Sequence, residues 1–358
     1  MEKVTDHALP FAEILPRNTS SSVAPPSWST LQRLGFRIAF IYFFCFMFFD
    51  DSGGFLQVFS LIPIVGDKIN FVIEWPMIRL AEIAGTHIFH LTGFEATQHG
   101  GGSSDTALNW ILIGLFVLTA LIGGLIWTAI SAWRGNRRTE YVTLYAWLRF
   151  LLRLTLAWFM VGYGMSKVFQ MQMPPISIAV LNEPLGQTSP HTLLWSLIAL
   201  HPLYEIICGL VEVVGGVLIL FRRTALMGAL ILAFVMTNVL LYNIFFDVPV
   251  KLFAFNLLLA LLFLMLPDLP SLFRFFWKHQ PSAPMGAWYP PMQRRGLRIT
   301  ARSIEVVYIV AVLLAPPLVF GIGWHREQAE ARTPTPLLGA WHLASPHPAR
   351  GPFITGNV

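Results

Sequence analysis

Eight side chains with acid–base or hydrogen-bonding chemistry fall inside one long apolar stretch, residues 147–267: Tyr163, Lys167, Glu205, Glu212, Asn238, Tyr242, Asp247 and Lys251. Ionisable groups at bilayer depth are rare and mark a functional site by default. Glu212 is the sharpest of them. It lies near the middle of the run 203–221, where an acid costs roughly 2.5–3.5 kcal/mol on the insertion scale. It must therefore be protonated, paired or in contact with water. Glu205, Gly209, Glu212 and Gly216 recur at spacings of four, three and four, so they share one helix face. The two glycines let a neighbouring helix approach closely. The expected chemistry is proton transfer, with Glu212, Lys167, Lys251 and Asp247 as the reacting groups. Glu205, Asn238, Tyr163 and Tyr242 are then the ligand contacts.

Each residue also has a plainer role. Lys167 and Lys251 sit at helix ends, where an ammonium can snorkel to the headgroups. Asp247 is placed to cap the sixth span or to pair with Lys251, four residues on. Asn238, near the middle of 225–246, is expected to meet Glu212 at the same depth. Tyr163 and Tyr242 suit an aromatic belt. Two lysines facing several carboxylates also make a structural ion-pair network. Arg149 and Arg153, one turn apart, read as anchors at the other membrane face.

The elements that must position these groups follow from composition. Apolar residues are 55% of the 358 and charged ones 12%, too few charges for the surface of a soluble chain of this length. The reading is an all-α, polytopic transmembrane bundle of about seven spans. The net charge of +5 sits in short loops and does not point to nucleic acid. The runs that approach the ~20 residues of a span are 33–49, 110–132, 147–166, 203–221, 225–246, 250–267 and 303–324. Around the four-helix core 147–267 the organisation is a tail 1–32, the span 33–49 and a long segment 50–109. The span 110–132, a basic loop 268–302, the span 303–324 and a Pro-rich tail 325–358 complete it. Residues 1–30 lack the apolar stretch of a cleaved signal.

Arginines and lysines concentrate in 133–146, at Arg222-Arg223 and in 268–302, whereas 50–109 holds seven acids against Lys68 and Arg79. Basic loops favour the cytoplasm. The N-terminus is therefore expected inside, and 50–109 and the C-terminal tail outside. Within 50–109, residues 71–83 mix apolar and charged positions at helical spacing, as an amphipathic helix on the outer face does. His87, His90 and His99 lack the further ligands of a metal motif. The glycine-rich run 100–102 lacks the Lys of a phosphate loop, and Asp105 or Thr106 reads as the cap of the second span. Cys45 and Cys208 form no CxxC motif. Pro316-Pro317 is expected to kink the last span or end it early. Leu337 to Leu343 in the tail is a candidate strand.

Three segments carry a family likeness: Tyr163-Gly164-Met165-Ser166-Lys167, the run Gly209 to Arg223 with Glu212 and Gly215-Gly216 before Arg222-Arg223, and Asp247-Val248-Pro249-Val250-Lys251-Leu252-Phe253. Together with the Ser103-Ser104-Asp105-Thr106 loop they resemble the DoxX-like family of bacterial integral membrane proteins, over 141–280 and part of the outer loop. The resemblance implies a four-helix membrane core in the bacterial inner membrane, flanked by extra helices. Relatives include subunits of a thiosulfate:quinone oxidoreductase, with a more distant likeness to the membrane part of vitamin K-dependent carboxylases. That implies quinone or another lipid-soluble partner. It also implies a soluble outer domain beyond Leu338-Gly339-Ala340-Trp341, of which this chain holds little. The chain has no CxxCH, dinucleotide fingerprint or iron–sulfur spacing. A redox reading therefore needs electrons from a partner protein or a diffusible substrate. The alternative is a non-catalytic assembly or interaction factor, or a small-solute carrier, held together by ion pairs.

Overall fold

The computed structural model describes residues 28–50, 55–61, 65–93, 105–135, 140–281 and 290–331. The tail 1–27, His99, the glycine-rich run 100–102 and the strand candidate 337–343 lie outside them. Among the described residues the protein is all α. The helices are α1 (Thr30–Phe49), α2 (Val65–His87), α3 (Ala107–Trp133), α4 (Val142–Val168), α5 (Ile178–Asn182), α6 (Pro190–Ala199), α7 (Pro202–Leu220), α8 (Ala225–Phe245), α9 (Lys251–Met265), α10 (Leu269–Lys278) and α11 (Arg295–Ala331). A 3-10 segment, Phe55–Leu61, follows α1.

Among the described residues six helices are long and apolar enough to cross a membrane: α1, α3, α4, α7, α8 and α11. The sixth expected span departs from its sequence reading. Its helix α9 has 15 residues, about 22 Å at ~1.5 Å per residue against a hydrocarbon core of ~30 Å. The chain then bends by 77° into α10. Pro267 and Pro270 flank that bend, where helical hydrogen bonding is hardest to continue. Pro316-Pro317, by contrast, does not end α11, which continues to Ala331. Two missing N–H donors do not stop a helix whose alternative in lipid is unbonded backbone.

The bundle is organised on α4, which is buried along most of its length, and its tightest partner is α7. Glycines set that distance. A Cβ on Gly209 would come within 2.5 Å of the Gly164 carbonyl oxygen, and one on Gly164 within 2.7 Å of the Gly209 oxygen. A Cβ on Gly216 would meet Val161 at 2.8 Å. The buried stripe of α7 carries Glu205, Gly209, Glu212 and Gly216 together, the face that their spacing required. α8 closes on α7 through Gly228, and α9 packs against α8 and α4.

The 3-10 segment is an element that the hydropathy pattern does not show. Trp158 Nε1 donates to Gln57 Oε1 at 3.0 Å, and the Tyr308 hydroxyl bonds the Phe55 carbonyl. Trp158 lies ten residues before the Val168 end of α4, about 15 Å along its axis. The segment therefore re-enters the bundle between α4 and α11, well below that end.

Candidate functional site

Three sets of polar side chains sit on or beside α4, and they differ in kind. The first joins Lys167 and Glu212. Their side chains are 6% and 3% exposed, with Nζ 2.5 Å from Oε1. Lys167 does not snorkel, because the Gly164–Gly209 contact brings the end of α4 against α7. Glu212 lies ten residues into α7, about 15 Å from its start. A small cavity of about 40 Å³ adjoins the pair, lined by Tyr163, Gln172, Tyr242 and Asn243 among others. At roughly 10–15 Å³ per water it has room for about three or four molecules. Two acceptor atoms there, Glu212 Oε2 and Asn243 Oδ1, have no hydrogen-bond partner among the described residues. Glu205, also buried, accepts the Met173 N–H at 3.2 Å and ties the α4–α5 connection to α7.

Asn238 does not meet Glu212. It is exposed on the outside of α8, whose buried stripe runs through Gly228, Leu232, Met236 and Asn243. Asn238 is two residues past Met236, the wrong side of a 3.6-residue period. Asn243 is the asparagine that faces the cavity, and its Nδ2 donates to the Val250 carbonyl at 3.3 Å.

The second set is separate from the first. Lys251 reaches Asp247 at 2.7 Å and Asp105 at 3.6 Å. Asp247 is not the cap of α9, since the N-cap position is Val250 and its side chain makes no cap bond. Asp105 takes that role from a distant part of the chain, accepting the N–H of Lys251 at 2.8 Å and of Leu252 at 3.0 Å. Thr106 in turn caps α3. The carboxylate at the α9 N-terminus offsets the unfavourable placement of a lysine there. Asp247 has φ +53°, which an aspartate tolerates better than most residues. The hydrogen bond from Lys251, and then its charge, hold the Asp247 carboxyl below the usual range. Burial pushes the nearby His191 imidazole below its ordinary value; Asp247 opposes this and Lys251 adds to it.

The third set holds Arg149 and Arg153, which do not anchor the helix at the membrane face as expected but are buried. Arg149 pairs with Asp268 at 2.9 Å, both side chains at most 1% exposed, and Arg153 pairs with Glu305 of α11. Tyr145 and Phe150 lie beside the two guanidinium groups. Arg37 is also buried, bonded to the Tyr141 hydroxyl and to Thr128. The signal for these pairs was present. Asp268 and Glu305 are lone acids among otherwise basic loops, flanking the ends of apolar runs.

Chemically the first set stands apart. It combines a carboxylate, an ammonium and two phenols around a space that water can enter. Among the described residues no group of three His, Cys, Asp or Glu side chains is placed to hold a metal, and both cysteines are free.

Fold and site together define a multi-pass, all-α membrane protein. No family model matches the chain, and no solved structure does. Over 99 residues, 28% of the chain, it is 30% identical to the uncharacterized protein YwoB of Bacillus subtilis (strain 168), and the match spans 62% of that relative's length. None of this places the chain in the DoxX-like family.

Proposed function

We propose that the protein is a quinone-linked membrane oxidoreductase, or the membrane subunit of one, built on a DoxX-like four-helix core of the bacterial inner membrane. The observation that supports this most is the Lys167–Glu212 pair beside a water-sized cavity within the bundle. Reduction of a quinone consumes two electrons and two protons and gives a quinol. The pair and its adjoining phenols supply and relay protons at a depth where bulk water does not reach. The electrons come from a partner protein or a diffusible substrate. The basic loops lie on the cytoplasmic side, so the Lys167 end of α4 and the C-terminus face outward.

The test is the variant Glu212→Gln in the purified protein, with a short-chain quinone as probe. Reduction of the quinone by a supplied thiol or thiosulfate donor should fall at least tenfold, with the melting temperature within a few degrees of wild type. A second reading is favoured by the closeness of the ion pair, which satisfies one carboxylate oxygen without any ligand. On that reading the protein is a non-catalytic assembly factor or small-solute carrier. A sharp loss of stability in Glu212→Gln, with no quinone response in wild type, would select it.

A further inference from the structure

The 3-10 segment exposes a problem that the proton chemistry alone does not solve. A cavity of about 40 Å³ holds water and not a ring, so a lipid-soluble reactant must bind elsewhere. Irregular backbone within a bilayer is tolerated only where protein buries it or where it lines a cavity. The Phe55–Leu61 segment does both. Its Phe55 and Val58 side chains are buried, and its Gln57 and Leu61 form one wall of a pocket of about 470 Å³. The other walls are the outer half of α4 and the stretch of α11 beginning at Ala315.

We propose that this pocket is the binding site for the ring of an isoprenoid quinone, entered sideways from the lipid between α4 and α11. This rests on the quinone reading above. The volume falls in the range of small-molecule sites, ~300–1,000 Å³. The lining is the usual mixture for such a ligand, mostly apolar with a few convergent polar groups. Trp158 and Phe320 supply flat apolar walls, and Gln57, Tyr163 and Ser166 supply the polar atoms. An acyl chain needs no such groups. The larger groove of about 500 Å³ between α1, α3 and α9 offers almost none beyond Tyr42, and suits a lipid tail better.

Tyr163 connects the two spaces. It lines this pocket and also the cavity beside Glu212. Ser166, on the same wall, bonds the Tyr163 carbonyl at 2.7 Å and lies 3.3 Å from Gln172, which lines the inner cavity. A quinone carbonyl in the pocket is thus separated from the Lys167–Glu212 pair by one phenol. Tyr163 is a positioning and relay residue between ligand and ion pair, and Gln57 and Trp158 fix the ring.

The experiment is labelling of the intact protein in nanodiscs with a photoreactive short-chain quinone, followed by peptide mapping. Adducts should fall in 55–61 and 315–320, and excess unmodified quinone should suppress them. Val319→Trp, which fills the pocket, and Gln57→Leu, which removes a polar wall group, should each cut labelling about tenfold. Glu212→Gln should leave it intact, since the inner cavity does not hold the ring. Melting curves identify any variant that fails to fold, and the second pocket variant then carries the test. Saturable labelling confined to other segments overturns this pocket while leaving the quinone reading standing. Suppression by phosphatidylglycerol as effective as that by quinone shows a lipid site and overturns the assignment. Absence of any saturable labelling overturns both.

Discussion

The two ends of α4 use the same ingredients to different effect. Toward its start, Arg149 and Arg153 are clamped to Asp268 and Glu305 with both guanidinium groups fully buried beside aromatic rings. Toward its end, Lys167 is clamped to Glu212, but a cavity adjoins the pair, and Glu212 Oε2 and Asn243 Oδ1 have no hydrogen-bond partner among the described residues. A buried ion pair by itself is weak evidence for function, because breaking one is costly wherever it lies. What distinguishes the second pair is the space next to it. Charges in a close-packed setting can only hold helices together. Charges beside room for water can also change protonation state.

The largest effect should come from the packed end. Arg149→Met leaves the Asp268 carboxylate buried without its guanidinium, at a cost of about 3–5 kcal/mol. The double variant Arg149→Met/Asp268→Asn should recover most of that in thermal unfolding. If the single variant is as stable as wild type, the packed end is not the structural one. Next is the helix crossing. Gly209→Ala places a methyl 2.5 Å from the Gly164 oxygen and should cost about 1–3 kcal/mol through separation of α4 and α7. Gly162→Ala, where nothing lies within 4 Å, should be neutral or slightly stabilising by comparison.

A smaller effect is expected in Glu212→Gln, about 1–2 kcal/mol, because water in the cavity can solvate the remaining ammonium. A loss equal to that of Arg149→Met would erase the contrast between the two ends. The smallest effect is the pH dependence around His191. Its folded-state value is lowered, so the unfolded chain binds more protons below the ordinary imidazole value of ~6.5. Stability is therefore full above about pH 6.5 and declines as pH falls through the lowered value. His191→Gln should flatten that decline in melting curves recorded between pH 7 and pH 5.

Apart from the sixth, the spans were legible in the sequence, as was the stripe on α7, because periodicity and apolar length encode them directly. So was the association of Asp247 with Lys251, four residues apart. Three features were not. Asn238 and Asn243 are both polar residues in one apolar helix, and only the buried stripe through Gly228, Leu232 and Met236 decides which points inward. The arginine pairs join residues more than a hundred positions apart, and a local reading assigns such groups to the headgroups by default. The 3-10 segment is too short to register as a span, and its depth depends on partners on α4 and α11.

Asp105 has a consequence for the assembly of the bundle. One carboxylate ends the approach to α3 and also holds the first two amides of α9, 146 residues later in the chain. It levels two spans at the same height in the membrane, and the shorter of them has too few residues to find that height by hydrophobic length alone. α9 should therefore reach its final depth only after α3 is in place, and a chain lacking this carboxylate should insert α9 without a fixed vertical register.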